Sequence, residues 1–177
     1  MRGLRSRGFT LVELMVTVAV VAIVSVVAYP NFQGVLRSNR VATASNELVS
    51  SLSLARVEAL RSPGGAGVCA SADGASCGTD WNTGWMVWID SNGNGERDTG
   101  STPERVVKYV QGRGNASIAE SDGAAKFLFD RRGRLTAGSA ATLSVQPGDA
   151  CPAGSDFVRE LTLSVAGQVR VAKKNCS

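Results

Sequence analysis

Residues 9–29 run for 21 positions without a lysine, an arginine or an aspartate, and the one charge among them is Glu13. That length suits a membrane-spanning helix, which needs about 20 apolar residues. A carboxylate within hydrocarbon costs on the order of 2.5 kcal/mol or more, so a chain that keeps Glu13 needs a use for it. Ahead of the run lies a short arm, residues 1–8, carrying Arg2, Arg5 and Arg7 and ending in Gly8. A secretory signal would have a shorter apolar core closed by a small-residue cleavage site, and none precedes Tyr29 and Pro30. The positive arm is therefore expected to stay cytoplasmic and the rest of the chain to lie beyond the inner membrane.

Pro30 predicts a kink or a loosened turn. Beyond it the helical period resumes, with Val41, Ala44, Leu48, Leu52, Ala55 and Ala59 at steps of three and four. These spacings predict one long helix over about 10–61, reaching roughly 80 Å at the usual rise per residue. Its first half (9–29) is apolar all round; its second half (30–61) needs a partner on one face. Ser62, Pro63, Gly64 and Gly65 stop it. From 65 to 177 the pattern changes to short strands and turns. Strands are predicted near 85–89, 105–110, 126–129, 142–145, 160–165 and 168–171, the last two joined by a tight turn at Ala166 and Gly167. The fold class is α+β: a long N-terminal helix packed on a mainly antiparallel β domain.

Charge is unevenly placed. Residues 9–104 hold 5 basic against 9 acidic side chains, net −4, and residues 105–177 hold 11 against 6, net +5. Any attraction to polyanions should reside in the C-terminal part. The chain has no histidine, so Ser–His and Cys–His nucleophile pairs and a histidine general base are excluded. No spacing singles out a carboxylate pair, and an enzyme is not the expected class. Cys69, Cys77, Cys151 and Cys176 lie beyond the apolar run, which suits disulfides in an oxidising compartment. Without histidine or a CxxC spacing, zinc is disfavoured. Cys69–Cys77, closing a short polar loop, and Cys151–Cys176, tying down the C-terminus, are the expected pairs.

Through Gly8, Phe9, Thr10, Leu11, Val12, Glu13 and Pro30, the N-terminus resembles the class III signal of type IV pilins and type II secretion pseudopilins. The resemblance implies that a prepilin peptidase cuts between Gly8 and Phe9, removing the 1–8 leader, and methylates the new N-terminal Phe9. It also gives Glu13 its use: pairing with the N-terminal amine of a neighbouring subunit during filament assembly. A buried carboxylate is costly unless paired, which agrees. The stretches Trp85 to Gly95, Phe129 to Leu135 and Gly167 to Val171 resemble the GspH/FimT group. This resemblance implies a type IV pilin-like fold and a minor subunit that initiates or caps a pilus, with other major and minor pilins and the inner membrane as partners. A type II secretion pseudopilus subunit is the alternative. No cofactor is implied.

Three groups admit two readings. Asp90, Asn92, Asn94, Gly95, Glu96 and Asp98 resemble the start of a calcium loop, but position twelve is Ser101 and a glycine-rich turn explains the same residues; no metal site is expected. Trp81, Trp85 and Trp88 are read as core rather than a base-stacking platform, with Trp85 and Trp88 on opposite faces of one strand. Arg131, Arg132 and Arg134 flank a turn glycine, and Arg170, Lys173 and Lys174 sit in the last hairpin and tail. Some members of the FimT branch bind DNA through a G-R-x-R-type stretch, here Gly167, Gln168, Val169, Arg170, so Gln168 stands where that pattern has arginine. Duplex DNA is the partner this cluster would imply, and a solvated basic strand end is the other reading.

Overall fold

The computed structural model describes residues 9–101 and 103–176, the side chains of Val27, Pro30 and Asn31 excepted. The leader and Gly8 lie outside the described residues. Contacts divide the chain near Arg37 into two units.

The first unit is the N-terminal part of helix α1 (Leu11–Ala59), which is assigned as helix through position 30. Over 11–26 its side chains are exposed all round, including Leu11, Val12, Leu14, Val16, Val20 and Ile23. Among the described residues no helix is long and apolar enough to cross a membrane.

In the second unit, α1 buries a stripe made by Val41, Ser45, Leu48, Leu52, Ala55 and Ala59, spaced three or four residues apart. Ser45 takes the buried place that the sequence pattern suggested for Ala44, which is half-buried beside the core. The hydroxyl of Ser45 donates to the Val41 carbonyl at 2.7 Å, so its burial leaves no unpaired donor. The helix ends in a tightened turn at Ser62, whose amide reaches the carbonyls of Glu58 and Ala59.

Eight strands follow: β1 (Ala66–Ala70), β2 (Gly84–Ile89), β3 (Val106–Gln111), β4 (Ala116–Glu120), β5 (Lys126–Phe129), β6 (Ala141–Pro147), β7 (Val158–Leu163) and β8 (Val169–Lys174). They form two four-stranded sheets, β3-β2-β1-β5 and β4-β6-β7-β8. Every neighbouring pair is antiparallel. One apolar cluster joins the helix stripe to Val68, Trp85, Val87 and Phe127 of the first sheet and to Leu143, Val145, Leu161 and Leu163 of the second. At about 25 cal/mol per Å², burying such side chains supplies the main driving force for this unit.

The two tryptophans of β2 face opposite ways. Trp85 points to the helix, where its indole N–H donates to the Ser51 hydroxyl at 2.9 Å. Trp88 is fully buried on the far side with Cys69 and Met86. Its ring lies over Gly67, where a Cβ would come within 2.2 Å. Trp81 stacks on Phe127, ring centres 5.4 Å apart. The three tryptophans are core.

Candidate functional site

At the start of α1, the amide of Glu13 donates to the Thr10 hydroxyl at 3.2 Å, and that of Leu14 to the Thr10 carbonyl at 3.1 Å. Thr10 is therefore the N-cap, with Glu13 in the first turn. A carboxylate there faces the positive end of the helix dipole, a gain of roughly 0.3–1 kcal/mol. Phe9, just ahead of the cap, is exposed. The local geometry thus gives Glu13 a favourable place within its own chain and leaves its carboxylate open to a partner.

The four cysteines pair as expected, Cys69 with Cys77 and Cys151 with Cys176. Inside the first loop Asp73 accepts from the amides of Ser76 and Ala75 and from the hydroxyls of Ser76 and Ser71. These bonds, the Ser76 amide first, hold its carboxyl well below the usual carboxylate range. In the second loop the amide of Cys176 donates to the Ser155 carbonyl at 2.8 Å, fastening the C-terminus.

The acidic loop after β2 is organised by its own backbone. Asp90, buried, accepts from the amides of Gly93 at 2.7 Å and Gly95 at 2.9 Å. Glu104, also buried, accepts from those of Ser91 and Asp98. Asn92 and Asn94 cap the next turns and donate to Asp98. Among the described residues no group of three acidic or cysteine side chains is placed to hold a metal ion. Turn chemistry accounts for the motif.

The six basic candidates divide in two. Lys173 lies 3.6 Å from Asp156, Lys174 3.5 Å from Glu160, and Arg134 3.1 Å from Asp130. Asp130 also accepts the amides of Arg132 and Arg134. Burial pushes its carboxyl upward, but those two amides and the Arg134 guanidinium outweigh it and hold it below the ordinary value. Such exposed pairs stabilise little, yet each carboxylate offsets the field of its cation. Among the described residues the side chains of Arg131, Arg132 and Arg170 have no ion-pair partner.

Two turns near these residues meet. Gly133 and Gly167 both have positive φ, +71° and +73°, and a Cβ on Gly167 would lie 2.2 Å from the Gly133 carbonyl oxygen. Leu135 continues the contact, donating its amide to the Val165 carbonyl at 2.9 Å. Arg56 of α1 closes over both turns, its Nε donating to the Gly133 carbonyl at 3.0 Å. Sequence reading missed Arg56, because its partner is 77 residues away and no local pattern marks the pair. With Val49, Ser53, Val57, Gln168, Val169 and Arg170, Arg56 lines a groove of about 410 Å³ between α1 and β8.

Comparison with known proteins then places the chain. Residues 44–167 match the profile of the family described as Type II transport protein GspH, which is more than two thirds of the sequence. The chain belongs to the GspH family. Residues 3–29 match the prokaryotic N-terminal methylation motif. Two crystal structures of the Pseudomonas aeruginosa type IV minor pilin FimU share the fold, each at 20% sequence identity. One aligns with a TM-score of 0.56 over 76% of this chain and 89% of FimU. The other aligns with 0.54 over 74% and 91%. No curated protein matches the sequence. A GspH-family body, a methylation-type N-terminus and the fold seen in FimU thus occur together in one chain.

Proposed function

We propose that this member of the GspH family is a minor pilin of a type IV pilus, acting in the complex that primes or caps the filament. The observation that carries this reading is the methylation motif over 3–29, ending in an apolar helix whose first turn holds Glu13. Residues 1–8 are removed by a prepilin peptidase, Phe9 becomes the methylated N-terminus, and 9–29 anchors the chain in the inner membrane with the β domain in the periplasm until assembly. Glu13 then meets the amine of a neighbouring subunit, which offsets the cost of burying a carboxylate in a bundle of apolar helices.

The test is direct. Gly8→Ala should leave a precursor heavier by the leader and retained in the inner membrane; an unchanged mature mass sinks the processing step. Glu13→Gln should still be cleaved but be missing from sheared filaments, and its normal incorporation would remove Glu13 from assembly.

The description of the family as type II transport supports a second reading, a subunit of a secretion pseudopilus. A deletion strain that loses twitching but exports its enzymes favours the pilus; the reverse favours secretion. A role in DNA uptake would rest on Arg131, Arg132 and Arg170, since the other three candidates already have carboxylate partners. It requires a duplex shift at low salt that a triple change to alanine abolishes. The salt slope should fall by nearly one unit for each phosphate-binding cation so removed.

A further inference from the structure

We propose that the free edge of β8, together with the groove between it and α1, takes an extended, carboxylate-bearing segment of another protein as an added strand. Strand β8 ends the order β4-β6-β7-β8. The Ser164 amide donates to the Gln168 carbonyl at 2.9 Å, which fixes the phase of the hairpin. Alternation of the ladder then turns the amides and carbonyls of Val169, Val171 and Lys173 away from β7. An open edge of this kind is a template for pairing unless it is blocked. At the C-terminal half of β8 Lys173 and Lys174 are tied down to Asp156 and Glu160. The half at 169–171 has no such cover, and Val171 is exposed.

The chemistry beside that half selects the occupant. Arg170 has no acidic partner, and Arg56 spends its Nε on the Gly133 carbonyl and makes no ion pair among the described residues. Val49, Val57 and Val169 are the apolar residues of the groove, which Arg56 and Arg170 also line. Alternating aliphatic and carboxylate side chains on an extended segment meet both demands, while the ladder supplies the main-chain bonds. Nucleic acid fits less well. Among the described residues lining the groove none is aromatic, so it offers bases no stacking surface. A second copy of β8 would set Arg170, Lys173 and Lys174 against their own like.

The full chain in zwitterionic detergent micelles should bind a fluorescein-labelled peptide of about eight residues alternating valine and glutamate. Anisotropy should show affinity about tenfold weaker for Arg170→Gln, since a charge-assisted pair is lost. Arg170 is exposed, so this variant tests the site even if Arg56→Gln loosens the turns. Bound peptide should slow amide exchange at Val169 and Val171. Equal binding of a valine–glutamine peptide, unchanged exchange at those two amides, or unchanged affinity in Arg170→Gln would each overturn the proposal. So would protection of the same amides by duplex DNA alone.

Discussion

The two flanks of α1 handle charge in opposite ways. Toward β3, three polar residues of the helix meet cations: Glu47 lies 3.1 Å from Arg113, Ser50 3.4 Å from Lys108, and Glu58 4.0 Å from Arg105. Toward β8, the helix supplies a cation of its own, Arg56, which lines one groove with Arg170. On one flank two of the three cations meet helix carboxylates; on the other, Arg56 and Arg170 have no carboxylate partner among the described residues. A surface whose cations are mostly paired has less left to recognise a partner electrostatically, whereas uncompensated guanidiniums steer and select anions. Partner contacts are therefore expected beside β8 rather than β3.

Four measurements bear on this contrast between the flanks and the sheets behind them. The largest effect is expected from the disulfides, one near each sheet. Cys151–Cys176 spans 25 residues and Cys69–Cys77 spans 8. Loop-closure entropy predicts losses of about 3.5 and about 2.6 kcal/mol when each pair is changed to serine. Denaturant midpoints check this, and a costlier loss at Cys69–Cys77 would reverse the ranking.

Next comes Gly167→Ala. A Cβ there would meet the Gly133 carbonyl oxygen at 2.2 Å in a left-handed backbone. Destabilisation of about 2–3 kcal/mol is expected from strain and clash, read as a lowered thermal midpoint. Little or no change would mean that the two turns are not held together as described.

Smaller still is the charge contrast itself. Glu47→Gln should cost about 0.5 kcal/mol, the size of one exposed pair, and that loss should vanish in high salt. Arg170→Gln should leave stability unchanged within about 0.5 kcal/mol, as it has no intramolecular pair to lose. If Arg170→Gln destabilises more than Glu47→Gln, the β8 flank is not the uncompensated one.

The smallest effect concerns pH. Asp130 has a folded value below its ordinary 3.8, so its contribution is complete above that value and declines as pH falls through the lowered one. Asp130→Asn should therefore flatten the acid limb of a stability–pH curve below about 4 and leave its neutral part sloped as before. An altered slope between about pH 5 and 8 would assign the titration elsewhere.

Sequence reading found most of the fold where periodicity is local. The buried stripe of α1, the strands at 85–89 and 126–129, and the opposite facing of Trp85 and Trp88 all follow from spacings of three, four or two residues. Strands β1 and β4 were not read. Ala66–Ala70 spells AGVCA and is buried at every position, and Ala116–Glu120 spells ASIAE. Neither shows alternation or enough β-branched residues, because a strand's preference is set by what packs on it rather than by its own backbone. The pairing of the cysteines was legible, since each bridge closes a loop of ordinary size around turn-rich sequence.

The basic site was legible only as a set of residues. That Lys173 and Lys174 are matched by Asp156 and Glu160 depends on the register of β7 against β8, where Val158 faces Lys174 and Glu160 faces Ala172. That Arg56 joins the site depends on two glycine turns meeting beneath it. Composition and short periods are properties of neighbouring positions, so the amino-acid order was enough for the methylation-type N-terminus, the amphipathic helix and the surplus of cations after residue 104. Which cations stay uncompensated, and which strand edge they border, emerges only on folding. Coulomb and hydrogen-bond partners act over a few ångströms of space, and only the folded chain brings residues such as 56, 133 and 167 within that reach.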